Sequence, residues 1–191
     1  MKRVLCSVLV CAMLAACSGV PIRSLPRLMR LSGELLDANP AEFMVALQVD
    51  ARFVPPPGAA PQLIIKLTPR EAGAFEPVDK KLPLQQTVAT SATLGLDAPP
   101  PGRRWLVHSL PPATQAELQR IQATIRQLKA KGGSGGGSLA VGVEQDALAV
   151  SDPALAHTRW ETWLQTSKRD GFYEVWSGTP AQLQKLDAKG K

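Results

Sequence analysis

The sequence predicts a mainly β fold, an antiparallel β-sandwich carrying one inserted helix, and three observations lead there. Apolar and polar residues alternate in several short runs, Pro- and Gly-rich punctuation drawn from 17 Pro and 15 Gly separates those runs, and one central stretch switches to a helical period. Strand-like and helix-like segments do not alternate, so a parallel sheet is not expected. With 45% apolar and 20% charged residues in 191 positions, there is enough apolar side chain for one core, which excludes wholesale disorder. The glycines follow no triplet period, which excludes collagen.

The first strand is expected over 43–53, with Phe43, Val45, Leu47, Val49, Ala51 and Phe53 on one face and Gln48, Asp50 and Arg52 on a wet one. Asn39-Pro40 opens it as a turn and Pro55-Pro56-Pro57-Gly58 closes it. A second strand covers 62–68. Residues 78–88 form an edge or bulged strand, because Pro83 cannot donate to a ladder. Residues 103–110 form another, with Trp105, Val107 and Ser109 opposite Arg104, Leu106, His108 and Leu110.

The period then lengthens: Leu118, Ile121, Ile125 and Leu128 define an amphipathic helix over 114–130, with Thr114 and Glu117 as a capping-box pair and Lys129 and Lys131 at its negative end. Its apolar stripe is expected to cover an open edge or face of the sheet. Gly132 to Ser138 reads as a flexible connector, in the wrong order for a phosphate loop, which needs a strand before and a helix after it. A strand begins at Leu139, and Ala147 to Val150 continue it or pair with it. Trp160 onward gives a hairpin turning at Asp170-Gly171, and Thr179-Pro180 starts a short C-terminal helix ending near Leu186. About seven strands result, an immunoglobulin-like or transthyretin-like sandwich spanning 28–187, with a frayed tail at 188–191.

Residues 1–16 form a cleavable secretory signal: Lys2 and Arg3, an apolar stretch of about ten residues that is short of the roughly 20 a spanning helix needs, then small residues. The tetrapeptide Leu14-Ala15-Ala16-Cys17 resembles the lipobox of bacterial lipoproteins. That resemblance implies cleavage before Cys17, acylation of its thiol and new amino group, and a membrane partner reached through the lipid anchor. Several acyl chains anchor stably where one does not, since each buried methylene contributes about 0.8 kcal/mol. Ser18 at the next position implies sorting to the periplasmic face of the outer membrane. Residues 17–27 become a lipidated tether, and the domain sits close to the membrane. The mature domain also resembles uncharacterised proteobacterial envelope lipoproteins and, in outline, the sandwich lipoprotein of type VI secretion complexes; neither likeness transfers a residue role.

Loss of the signal changes the chemistry to be expected. Cys6 and Cys11 leave with it and Cys17 carries lipid, so no thiol remains for a disulfide, a redox reaction or a metal. Lys2 and Arg3 leave too, reducing the 22 basic side chains to 20 against 16 acidic ones. These are dispersed rather than gathered in a stripe, so nucleic-acid binding is not expected. His108 and His157 lack the further ligands and spacing of a zinc site. Gly132-Gly133-Ser134-Gly135-Gly136 matches a nucleophile elbow as a string but not in its strand-to-helix setting. Glu42 with Asp50, or Glu161 with Glu174, are carboxylate pairs whose spacing the sequence does not fix.

No catalytic residue, metal or cofactor is therefore assigned. Six of the nine aromatic residues lie from Trp105 onward; Trp160, Trp163, Tyr173 and Trp176 read first as core and edge packing of the sandwich and second as a partner-binding surface, because Trp160 and Trp163 cannot both point inward on one strand. The expectation is a non-enzymatic binding or assembly component of the cell envelope with a protein partner there. An envelope hydrolase with a scattered active site, or a structural lipoprotein of the type VI kind, is the alternative.

Overall fold

A computed structural model of the chain describes residues 31, 33–88, 95–130, 137–145, 148 and 152–190, the side chains of 186–190 excepted. The signal, Cys17, the tether and residues 132–136 of the connector lie outside the described residues. The strands are β1 (Met44–Asp50), β2 (Gln62–Pro69), β3 (Val78–Pro83), β4 (Gln85–Thr87), β5 (Arg103–Ser109), β6 (Gly137–Glu144), β7 (Trp160–Gln165) and β8 (Tyr173–Gly178). Helix α1 is Pro112–Ala130 and α2 is Pro180–Gly190. The strands make two sheets, one of five in the order β4-β5-β1-β7-β8 and one of three in the order β3-β2-β6. Every pairing is antiparallel. The expected sandwich is what forms, with eight strands among the described residues against an expected seven or so.

The extra strand comes from Pro83. The proline ends β3, Leu84 donates its N–H to Pro61 O at 3.1 Å, and the chain then changes sheets to become β4. Both halves are edge strands, as the proline requires.

The layers meet through one row on each strand. From β1 come Val45, Leu47 and Val49; β5 adds Leu106, β7 adds Trp160 and Leu164, β2 adds Leu63, Ile65 and Leu67, and β3 adds Leu82, all within one buried cluster. Each such side chain fully withdrawn from water contributes roughly 1.5–3 kcal/mol. Helix α1 completes the cluster with Leu118, Ile121 and Ile125. It lies beside β3, where Lys80 Nζ reaches Glu117 Oε1 at 3.5 Å, so the stripe covers that side of the smaller sheet. On its other side the buried Gln122 Nε2 donates to Leu35 O at 2.7 Å and Ala38 O at 2.9 Å, fastening helical residues 33–37 to α1.

Several local expectations shift. Helix α1 begins at Pro112, not Thr114: a proline at the first helical position loses no intrahelical bond, Thr114 is buried inside the first turn, and Glu117 is taken by Arg120 at 2.9 Å instead of closing a capping box. A reciprocal cap does form at α2, where Gln182 N donates to Thr179 Oγ1 and Thr179 N to Gln182 Oε1. That helix continues to Gly190, past both Leu186 and the expected start of the frayed tail. Gly137 and Ser138 belong to β6 rather than to the connector. A Cβ at position 137 would stand 2.8 Å from Phe75 Cζ and 3.0 Å from Thr68 O, so this glycine is where two segments approach closely. Of 147–150 only Leu148 is described; its N–H donates to Gln145 O at 2.8 Å in a turn, not a strand.

Strand β1 has no wet face. Met44, Ala46 and Gln48 are as buried as the opposite row, because Val107, Phe172 and the indoles of Trp105 and Trp163 cover them together with Leu96.

Gly178 provides a packing test. A Cβ there would stand 2.3 Å from Trp176 Cζ2, because the Trp176 ring lies back along its own strand. Gly178→Ala is expected to displace the indole, red-shift tryptophan emission and cost about 1–3 kcal/mol in chemical denaturation, as overpacking does. Gly142→Ala, with nothing within 4 Å, is the control and should change neither reading.

Candidate functional site

The four aromatic residues read as either core packing or a partner surface are divided by the sheet. In the β1–β7 register Leu164 pairs with Val45 and Trp163 with Ala46, so Trp163 faces away from the smaller sheet. Trp160 is 1% exposed, beneath the sandwich interface, with Phe53 edge-on at 4.9 Å. Tyr173 belongs to the same core and Trp176 packs at its margin. These three are packing residues, and of the four Trp163 alone stands on the outer face of the five-stranded sheet.

There it meets a residue not grouped with it in the sequence. Trp105 pairs with Gln48 and Trp163 with Ala46, one step diagonally across β1. Ala46 rises only to its methyl group, so the two indoles close over it edge to face, with centroids 5.8 Å apart and planes at 88°. Met44, Val107, Leu96 and Phe172 pack below and around them. Both indoles stay half-buried. Trp105 Nε1 donates to Asp97 O at 2.8 Å, which ties the loop before β5 to the pair.

Charge borders the aromatic pair on one side. Glu161, on β7 two residues before Trp163, accepts from Trp163 Nε1 at 3.3 Å and from Arg159 Nε at 2.8 Å, and faces Arg103 Nη1 at 3.6 Å. Arg103 Nη2 also donates to Gln48 O at 2.6 Å. Burial pulls the Arg103 guanidinium below its ordinary value while the Glu161 carboxylate opposes that pull. At the end of β1, Arg52 grips both carboxylate oxygens of Asp50 at 2.9 Å and holds its pKa down to about 2. The arrangement suits recognition: two rigid, tethered rings over a dry base, with an Arg-Glu-Arg border.

The other candidate residues do not converge on it. His108 is 1% exposed on the inner row of β5, opposite Val45, and its Nδ1 has no hydrogen-bond partner among the described residues. A substrate in solution cannot touch it. His157 is exposed, in the turn before β7. Glu42 Oε2 accepts from Lys168 N at 2.9 Å, bracing the β7–β8 turn, whereas Asp50 is engaged by Arg52. Glu174 pairs with Trp163 in the β7–β8 register and is buried. Among the described residues no three His, Cys, Asp or Glu side chains gather as metal ligands, and no helix is long and apolar enough to cross a membrane. No family model, curated protein or solved structure matches the chain.

Burial lowers the pKa of His108 to about 4 from an ordinary 6.5. The unfolded chain therefore takes up a proton as pH falls through 6.5 while the folded chain does not, so the His108 contribution to stability is complete above about 6.5 and is lost towards pH 4. Urea denaturation at stepped pH should show a loss of about 3 kcal/mol over that window attributable to this group. His108→Leu is expected to flatten that part of the profile.

Proposed function

We propose that this chain is a lipid-anchored lipoprotein of the cell envelope, held by Cys17 on the periplasmic face of the outer membrane, and that it acts there as a non-enzymatic binding or assembly component through its Trp105–Trp163 face. The lipobox residues Leu14-Ala15-Ala16-Cys17 support the anchor. The observation that carries the binding role is the edge-to-face indole pair over Ala46, half-exposed and bordered by Arg103, Arg159 and Glu161. Large rigid aromatics beside Arg are the side chains that concentrate binding energy in protein interfaces, because they bury much area at small entropic cost. The inaccessible position of His108 supports the same reading over a hydrolase built on that imidazole. An envelope protein partner is accordingly the ligand proposed.

Metabolic labelling with a fatty-acid analogue tests the anchor: Cys17→Ser should lose the label and appear in the soluble fraction, and a variant that keeps the label refutes it. For the binding face, Trp105→Ala or Trp163→Ala should lose crosslinks to envelope proteins in living cells while keeping the label, at a cost in stability because each indole packs on Met44 and Ala46. Arg159→Glu, exposed at the border, should weaken the same crosslinks with the melting temperature unchanged. A single hot-spot truncation typically costs 2 kcal/mol or more, about thirtyfold in affinity. A hydrolase would behave differently, losing turnover on substitution of His157 and retaining it without the indole pair.

A further inference from the structure

The four sheet edges differ in how they are guarded. A free edge presents unpaired N–H and C=O groups to any strand that approaches, and proteins blunt it with short strands, charges, proline, bulges or a covering element. Strand β4 is three residues long. Strand β3 carries Asp79, Lys80, Lys81 and Pro83 and has α1 beside it, joined through Lys80 and Glu117. Strand β8 is irregular, its register with β7 shifting between Thr162 and Trp163.

Strand β6 has none of these guards. It is eight residues long, Gly137-Ser138-Leu139-Ala140-Val141-Gly142-Val143-Glu144, with no proline and a charge at the last position alone. Its register with β2 runs unbroken from Gln62↔Glu144 to Pro69↔Gly137. Among the described residues no strand pairs with its outer side. Leu139, Val141 and Val143, the row turned towards the core, are only half-buried, and Ser138, Ala140 and Gly142 on the other face are exposed.

We propose that β6 is the dimerisation edge of this protein: two copies join β6 to β6 antiparallel about a twofold axis at Val141, forming one continuous sheet β3-β2-β6-β6-β2-β3. The sequence of the strand favours its own copy as the occupant. Faces match only when the axis passes through a residue. With the axis at Val141, that valine meets its own image, and Leu139 of each copy meets Val143 of the other, so the half-buried apolar row continues across the junction. On the outer face Ala140 meets Gly142, and the single charge, Glu144, meets Ser138. An axis at Ala140 instead sets Gly137 against Val143 and brings the two copies of Lys66, which is paired in register with Ala140, into one row.

Charge also fits the Val141 axis. Lys66 of one copy and Glu144 of the other lie two strands and one row of side chains apart, about 12 Å between Cα atoms at ordinary sheet spacings, with only the small Ser138, Ala140 and Gly142 between them. Two extended side chains span that gap, so each Lys66–Glu144 combination adds an attraction across the axis, twice by symmetry. The existing Lys66–Asp79 contact at 3.2 Å and Lys81–Glu144 contact at 2.7 Å then become parts of a longer alternating row of charges.

Sedimentation velocity of the purified full chain in density-matched detergent tests the proposal. The wild type should sediment as a dimer that dissociates on dilution. Ala140→Lys should raise the dimer dissociation constant at least tenfold, since it gathers four cations around the axis, while circular dichroism and the melting temperature stay close to wild type because position 140 is exposed. A second variant fixes the register whatever happens to Ala140→Lys: oxidation of Val141→Cys should yield a disulfide dimer beyond any formed by the wild type treated alike, and Lys80→Cys on the opposite edge should not. A wild type that remains monomeric at all concentrations overturns the proposal, as does one whose β6 takes an extended segment of another protein instead. A dimer indifferent to Ala140→Lys, or equal crosslinking through Lys80→Cys, overturns it too.

Discussion

Withdrawing both faces of β1 from water organises the rest of this molecule. The six residues from Met44 to Val49 are all buried, and none of them is charged. Their odd row, with Phe43, joins the core shared with the smaller sheet and α1, and the even row lies under Trp105, Trp163 and Phe172. Because a strand offers its two rows with a period of two, the pairing of β1 with β5 and β7 decides the direction of every side chain on its neighbours. His108 is buried without charge because it pairs with Val45; Trp105 is presented outward because it pairs with Gln48. A slip of one residue in either pairing would put Arg103 or Glu161 into the core and the indoles' dry base into water.

Several polar side chains on these elements bond over long sequence distances, and the bonds they make hold the connecting segments. Gln145, at the end of β6, donates Nε2 to Thr162 Oγ1 at 2.8 Å, tying the smaller sheet to β7. Gln165 at the other end of β7 donates to Glu42 O at 2.9 Å, and the carboxylate of Glu42 receives the backbone N–H of Lys168. The short 3-10 turn Pro40–Glu42, capped by Asn39 through Ala41 N, is thus anchored to the β7–β8 hairpin. Arg126 does the same for the preceding helical residues by donating to Leu36 O at 3.0 Å. Each of these bonds contributes modestly when made, yet losing the buried Gln145–Thr162 bond leaves a buried group unpaired at a cost of roughly 1–3 kcal/mol.

Features governed by local chemistry were legible in the sequence. Alternation located β1, β2 and β5, the 3.6 period located α1, and Asp170-Gly171 located the β7–β8 turn, where Gly171 has φ +65° as a left-handed turn position requires. Pro83 marked an edge, but its second consequence, the passage between sheets, depends on Pro61 receiving a hydrogen bond from 23 residues further along the chain. The opposite directions of Trp160 and Trp163 followed from parity alone. Which of them was the outward one did not, because that depends on the partner row of β1. Trp105 was missed as the companion of Trp163 for a related reason: no local pattern links positions 58 residues apart, and the signal that joins them is the small side chain of Ala46 on the strand between.

The two proposed surfaces belong to different layers, and this has a physical consequence. The indole pair lies on the side of the five-stranded sheet that faces away from the smaller sheet, whereas β6 is the free edge of the smaller sheet itself. Edge pairing adds strands within the plane of a sheet and leaves the outer face of the other layer uncovered. A dimer joined through β6 therefore carries two Trp105–Trp163 faces related by the same twofold axis. Two such faces on one rigid body convert a modest single contact into a stronger divalent one wherever a partner is itself repeated, because the second contact forms at high effective concentration. The proposed anchor would act in the same direction, since holding both copies in one membrane plane restricts diffusion to that plane before any contact is made.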